Sequence, residues 1–552
     1  MDYEIIGTRF RSFQWRGIIL LIFVLLLALS GCTLNLGRRD APAGGAGGHT
    51  DQSEQSSQSA GTLADRSDDS SEESESGIAV SETEVPASLS PIDTSALREA
   101  VTVEGMRRHL TQFQEIAEAN DGLRTSGTPG YDASAAYVRE MLERAGYEVT
   151  VQTFDFPFFY DATELEQTAP EVLTYTLHED FAAMTFSPGG EVTASIQPID
   201  IDLAARRSSD SGCETADFAD FEPGNIALLL RGICPFFEKA SNAEAAGASA
   251  VLVFNDGLRR NRQGVIRGTL GEPGINIPVV GLSFAAGEAL YQLSLTDEVM
   301  IHVDAQVISE TRQTQNIIAD TPGGRDDAVV VVGGHLDSVP TGPGIQDNGS
   351  GSAAILEIAL QVAALGIEPV NKVRFAFWGA EEFGLIGSRH YVEQLSLQER
   401  RQIALNLNFD MIASPNYTRF VYDGDHSTFS ASAAEVSAPP GSGTIEQVFQ
   451  DYFAEQNLAV AETPFDGRSD YGPFIQMDIP AGGLFTGAEE SKPADEVATY
   501  GGTADEAYDA CYHLACDTID NINWQALDEM SDAAAHAVLV LAMSEQSVEG
   551  PE

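Results

Sequence analysis

The sequence predicts an α/β protein: a three-layer α/β/α domain around a mostly parallel mixed sheet, interrupted by a second, β-rich domain. Three observations predict it. From about residue 315 onward, apolar runs of strand length alternate with helical stretches, the pattern of a sheet whose strands are joined by helices. From about 160 to 307 the texture changes to short strands and turns with one Ala-rich helix. Ahead of that stretch, residues 96–159 already read as helix, helix and strand, so the first domain begins, is interrupted, and resumes over 308–546.

The chain opens differently. Arg9, Arg11 and Arg16 precede an apolar run over 18–29, shorter than the roughly 20 residues that span a bilayer. The run ends in Leu29-Ser30-Gly31-Cys32. Small residues directly before a Cys resemble the lipobox of bacterial lipoproteins. That resemblance implies removal of residues 1–31, acylation of Cys32 and a place outside the cytoplasm; an ordinary signal peptide or an uncleaved anchor is the alternative. Residues 32–95 are dominated by Gly, Ser, Asp, Glu and Ala with hardly an aromatic. Such a stretch buries too little apolar surface to offset its ordering entropy and reads as a tether.

Charge narrows the partners. The chain carries 84 acids against 30 bases, a formal charge of −54. That field repels nucleic acid and anionic membrane surfaces, so contact with a membrane is expected only through the N-terminal lipid. With Cys32 on lipid, four cysteines remain, an even number suited to an oxidising compartment. Four allow three pairings, of which Cys213–Cys234 with Cys511–Cys516 is the local one.

Order begins near Ser95. The stretch "LREAVTVEGMRRHLTQFQEIAE" has helical periodicity; Pro129-Gly130 reads as a break, 133–145 as an amphipathic helix and 148–154 as a strand. In the β-rich part, "GNIALLLRGICPFFEKASNAEAAGASAVLVFND" is strand, turn, helix and buried strand. With "INIPVVGLSFAAGEAL", and on Arg231-Gly232-x-Cys234 and Ala246-Gly247-Ala248, it resembles the protease-associated domain, here over 160–307. No cluster of His, Cys and carboxylates lies within it.

The strands of the α/β part are expected at 328–332, 373–378, 405–409 and in "IPAGGLF", with helices over 352–364, 396–402 and in "IEQVFQDYFAEQ". Chemistry-bearing residues fall at their carboxyl ends. His335 follows the first strand, Glu381 and Glu382 the second, and Asp410 closes the third. Ligand sites of open α/β sheets collect there. Asp347 sits in a loop that Gly344, Gly349 and Gly351 allow to fold tightly, and His513 lies in "CYHLACDT". Single histidines are more often structural than ligating, so His49, His109, His178, His302, His390, His426 and His536 receive no role.

Taken together, Gly334-His335-x-Asp337, Asp347-Asn348-Gly349-Ser350-Gly351, Glu381-Glu382, Asp410 and His513 resemble the secreted co-catalytic di-zinc aminopeptidases of the bacterial leucyl-aminopeptidase type. The resemblance also takes in "FDGRSDYGPF" and "IPAGGLFTGAE". It implies the zinc-exopeptidase fold and two Zn2+ per chain: His335 and Asp410 on one, Glu382 and His513 on the other, Asp347 bridging. Imidazole and carboxylate suit zinc. It further implies that Asp337 accepts from the His335 ring, that Asp347-Asn348 is a cis peptide, that Glu381 is the general base and that Tyr512 donates to the oxyanion. Met411, Arg468 and Phe485 match the substrate pocket, although Met411 and Phe485 read equally as core and Arg468 as an ion-pair partner. The implied substrates are peptides with a free N-terminus, bearing large apolar first residues; a structural Ca2+ and a monomeric state are also expected. The competing readings are a carboxypeptidase or dipeptidase, a glutaminyl-cyclase-like enzyme, and a binding protein without activity.

Overall fold

The computed structural model describes residues 89–203, 209–259, 262–430 and 437–549. The N-terminal signal segment, Cys32 and most of the tether lie outside them. Among the described residues, no helix is long and apolar enough to cross a membrane.

Two eight-stranded sheets organise the chain. The first runs in the order Glu148–Asp161, Val307–Asp320, Asn371–Trp378, Arg325–His335, Ile403–Phe409, Ala481–Phe485, Phe420–Tyr422, Ala461–Thr463. Its centre is parallel: Arg325–His335 pairs in parallel with Asn371–Trp378 on one side and Ile403–Phe409 on the other, and the latter with Ala481–Phe485. The Val-rich run is continuous because both its faces are buried. Val330 and Val332 enter one core with Leu405 and Leu407, whereas Val329 and Val331 enter a second with Trp378.

Helices cover each face. Val103–Ala119, Pro129–Ala145, Gly349–Ala364, Ser442–Glu455 and Trp524–Met543 supply Met106, Tyr131, Ile355, Phe449 and Met530 to the first core. Ile386–Gln394 and Tyr471–Ile475 supply Tyr391 and Phe474 to the second. Pro129 does not break the chain as its dipeptide suggested. It opens the helix Pro129–Ala145, where a missing N–H costs nothing because first-turn donors have no intrahelical acceptor.

The second sheet is built entirely from strands between Glu164 and Ala305. Its strands Ile226–Leu230, Ala250–Phe254 and Val279–Leu282 are parallel and fully buried. Two α-helices pack on it where the sequence suggested one: Phe236–Ala245, and Phe284–Ser294. The second is started by Ser283, whose side chain accepts from the Ala286 N–H. A two-stranded ribbon connects the sheets. Glu148–Asp161 and Val307–Asp320 pair antiparallel over their whole length, from Glu148 opposite Asp320 to Asp161 opposite Val307. Both local disulfides are present, Cys213–Cys234 and Cys511–Cys516.

Candidate metal centre and its cavity

His335 is the last residue of the central strand Arg325–His335, and Glu381 and Glu382 follow the neighbouring strand, which ends at Trp378. Asp410 follows Phe409, the end of the strand on the other side. The parallel register therefore brings the three chain segments to one edge. Asn348 fastens the loop carrying Asp347 to that edge. Its Nδ2 donates to the Phe409 carbonyl at 2.9 Å, while its Oδ1 accepts from Gly351 N and Met411 N at 2.9 and 3.2 Å.

The side chains converge as two groups that share one carboxylate. His335 Nε2 lies 3.2 Å from Asp347 Oδ1 and 3.2 Å from Asp410 Oδ1. His513 Nε2 lies 3.2 Å from Asp347 Oδ2 and 3.2 Å from Glu382 Oε2. In each trio the ligand atoms all fall within 4.8 Å of one another. The peptide Asp347–Asn348 is cis. Glu381 also comes within this range of His335 and Glu382, yet its carboxylate has no hydrogen-bond partner among the described residues and lines the cavity beside them.

The electrostatics call for a cation. Four buried or nearly buried carboxylates (Asp347, Glu381, Glu382, Asp410) face two imidazoles, and Glu382 Oε1 is buried without any partner. Burial works against the ionised His513 ring, but Glu382 and Asp347 outweigh it and push its pKa up to about 11. Burial first, and then Glu382, Asp470 and Asp410, push the Glu381 carboxyl well above its usual range, with His335 opposing. Buried charge of one sign is costly unless paired. Imidazole nitrogens and carboxylate oxygens at this spacing are the donor set of zinc.

Asp337 is placed differently from expectation. The His335 Nδ1–H finds the main-chain oxygen of Asp337 at 3.2 Å, with the carboxylate at 3.7 Å, beyond hydrogen-bonding range. Either acceptor fixes the same tautomer and leaves Nε2 facing Asp347 and Asp410. The Asp337 carboxylate instead accepts from Glu381 N at 3.2 Å, so it holds the loop that carries Glu381. Sequence reading missed three further groups. Ser469 Oγ donates to Asp410 Oδ2 at 2.6 Å. Asp517 accepts from the Gln346 and Asp347 amides at 2.8 and 3.0 Å. Asp470 is fully buried with both oxygens unpartnered, and burial pushes it up to about 7. Ser469 and Asp470 stand in "GRSDYG", but only their depth marks them out.

A cavity of about 320 Å³ opens over the centre. Met411, Leu385, Tyr422, Pro464 and Phe485 form its apolar part, and Asp466, Arg468, Glu490 and Tyr512 the polar part. Arg468 Nη2 donates to Tyr512 Oη at 3.0 Å and pairs with Glu489 Oε1 at 3.0 Å. The Tyr512 ring stacks on His513, centroids 3.8 Å apart, and the Cys511–Cys516 bridge encloses both residues. One other carboxylate trio exists among the described residues, Asp423, Asp425 and Glu446. Its oxygens already accept from the amides of Gly424, Ser427, Thr428 and Phe429. They close a turn, and no calcium site is assigned.

Comparison with known proteins agrees with this geometry. Residues 316–538 match the model of peptidase family M28, and residues 199–290 match the PA domain. An aminopeptidase of Pseudomonas aeruginosa is 46% identical over 446 residues, covering 80% of this chain and 81% of that protein. A probable lipoprotein aminopeptidase of Mycobacterium tuberculosis, LpqL, is 41% identical over 461 residues, 83% of this chain and 87% of the relative. Among solved structures, BSAP, a zinc aminopeptidase from Bacillus subtilis, aligns with a TM-score of 0.55 and 25% identity, over 82% of this chain and 98% of that one. The extent and identity of these matches leave one assignment: the chain belongs to peptidase family M28, with a PA domain inserted in its α/β domain.

Proposed function

We propose that this M28 peptidase is an aminopeptidase that removes large apolar N-terminal residues from peptides, with two zinc ions held by His335, Asp347, Glu382, Asp410 and His513. The observation that carries the proposal is Asp347, whose two oxygens face two different imidazoles at 3.2 Å each. That is the arrangement expected of a carboxylate shared by a pair of ions. Bound zinc supplies Lewis acidity at such a site, polarising a carbonyl and acidifying water.

The chain's own groups do the rest. Glu381 takes the proton of the attacking water on a carboxylate oxygen and returns it to the leaving nitrogen. Its raised pKa suits a group that must hold a proton between those steps. Tyr512 Oη donates to the oxyanion. Arg468 Nη2 donates to that phenol oxygen, which leaves the phenol hydrogen for substrate. The surrounding carboxylates favour an ammonium group, and Met411, Leu385 and Phe485 supply apolar walls for the first side chain. Arg468 is already engaged by Glu489 and Tyr512, so it is poorly placed to receive a C-terminal carboxylate. This disfavours the carboxypeptidase reading. A lipid on Cys32, an acidic tether, the domain limits read from the sequence and a monomeric chain complete the proposal.

The test is cleavage of Leu-p-nitroanilide against N-acetyl-Leu-p-nitroanilide, with zinc counted per chain. The proposal expects activity on the free amine alone, about two zincs, and a Glu381→Ala variant that keeps its zinc and loses turnover. Equal cleavage of both substrates, or a single zinc in the active protein, would overturn it.

A further inference from the structure

We infer that Arg267 on the inserted domain, with His178 nearby, forms a carboxylate-binding edge that receives the downstream part of the peptide substrate; this rests on the aminopeptidase reading above.

The local charge is anomalous. A chain with 84 acids and 30 bases has, between residues 231 and 267, six bases against three acids. Lys239 is buried, and Arg262 is paired with Asp256 at 2.5 Å. Arg267 differs: it is exposed and has no hydrogen bond or ion pair among the described residues. A Cβ at the neighbouring Gly268 would lie 3.0 Å from the Phe236 ring, and Arg231 Cζ lies 5.8 Å from the centroid of the same ring. Gly268 and Arg231 thus both meet one aromatic side chain.

Two features set this edge beside the metal centre. Phe156 and Phe158, near the end of the ribbon strand Glu148–Asp161, pack on Phe383 at 5.0 and 5.5 Å, and Phe383 directly follows Glu382. The inserted domain thus springs from one lip of the cavity. Its first loop then carries His178, whose backbone is left-handed (φ 68°) and whose N–H donates to Phe181 O at 2.7 Å. Asp161, the last residue of that ribbon strand, accepts from Ala183 N at 2.6 Å, and Thr185 N donates to the Gly268 carbonyl at 2.9 Å, which ties the Arg267 loop to the ribbon. His178 is within electrostatic reach of Arg267, Asp161 and His513. The sequence offered no role for this histidine because its neighbours are distant in the chain.

The polarity matches a peptide bound in one direction. Glu381, Glu382, Asp466 and Glu490 line the cavity, where the N-terminal ammonium would sit. The guanidinium edge lies outside it, on the inserted domain that the ribbon joins to this lip, where a carboxylate a few residues downstream would pass. That carboxylate is either an Asp or Glu side chain or the C-terminus of a short peptide. Arg binds both through the same paired N–H groups.

The test uses the zinc-loaded full chain and kcat/KM for Leu-Ala-Ala-Ala, its C-terminal amide, and the amide of Leu-Ala-Glu-Ala, with Leu-p-nitroanilide as a substrate lacking any downstream part. An exposed guanidinium–carboxylate pair supports a preference of about threefold to fivefold for the peptides bearing a carboxylate, shrinking as salt is raised. Arg267→Gln should abolish the preference, and Arg267→Glu should reverse it, with Leu-p-nitroanilide turnover unchanged in both. Preference for the free C-terminus or for the internal Glu identifies the source. No preference in the unaltered protein, or the same preference in the variants, overturns the inference. A loss on Leu-p-nitroanilide equal to the loss on peptides also overturns it, since Arg267 would then act on the fold. Failure of every substrate removes the aminopeptidase reading itself, a different result from cleavage without preference.

Discussion

Replacing Ser469 by Ala removes one hydrogen bond from Asp410 and touches nothing in the His513 half of the cluster. Ser469 Oγ donates to Asp410 Oδ2 at 2.6 Å and accepts from Asn408 Nδ2 at 2.8 Å. A hydrogen bond to a buried charged group contributes about 1.5–3 kcal/mol. Losing a partner that orients a metal ligand typically weakens the metal about 10- to 100-fold, or about 1.4–2.7 kcal/mol, so the two estimates agree. A second cost falls on the fold. Asn408 Oδ1 already lacks a partner, and an unpaired Asn408 amide adds about 1–3 kcal/mol of destabilisation. Competition with a chelator of known affinity, followed at equilibrium, would resolve the two zincs of the proposal. Ser469→Ala should weaken the ion held by His335 and Asp410 within the stated range and leave the ion at Glu382 and His513 as it was. Equal weakening of both, or of neither, would refute the division of the cluster into two halves about Asp347.

Tyr512→Phe keeps the ring stacked on His513 but removes the proposed donor to the oxyanion, so kcat should fall about 10²- to 10³-fold with zinc content intact; steady-state kinetics with metal analysis checks it. Replacing Cys511 and Cys516 together by Ser opens the loop holding Tyr512 and His513. Loop closure of this length is worth about 2 kcal/mol in the chain-entropy treatment, and zinc at the His513 half should weaken before zinc at the His335 half, read by the same chelator competition. His536 reports on acid stability. Its Nδ1 meets Thr94 Oγ1 at 2.9 Å and its ring lies on Tyr452, and burial with Arg98 nearby lowers its pKa from 6.5 to about 4. Between those values the unfolded chain binds a proton that the folded chain refuses. The His536 contribution is therefore intact above about pH 6.5 and is lost as the pH falls toward about 4. Thermal unfolding across that window should flatten in His536→Phe, and an unchanged slope would contradict the assignment.

Much of the fold was legible because burial leaves a direct mark on composition. The run at 328–332 is all apolar since both faces of that strand are covered. The inserted domain announced itself through the "RGIC" and "AGA" elements and through its texture. Pro129 misled because a proline at a first helical turn and a proline that ends a helix look alike until the flanking backbone is known. The second helix of the inserted domain, Phe284–Ser294, was hidden because its apolar stretch follows a buried strand with only Ser283 between them.

Part of the candidate ligand set followed from strand order, and Asp347 and His513 from the family resemblance. A parallel sheet gathers the carboxyl ends of its strands at one edge, so His335, Glu381–Glu382 and Asp410 could be placed together before any coordinate was known. Residue types at strand ends are thus what the sequence by itself determined, along with the sign of the surface charge, whereas the choice among three disulfide pairings waited on the structure. Tertiary structure alone decided which atoms meet. It set Asp347 between two imidazoles, turned the Asp337 carboxylate to Glu381 N instead of the His335 ring, and paired Arg468 with Tyr512 and Glu489. The physical reason is range. Periodicity and turn chemistry act over a few residues, whereas hydrogen bonds and ion pairs between segments change with ångström shifts in how loops pack.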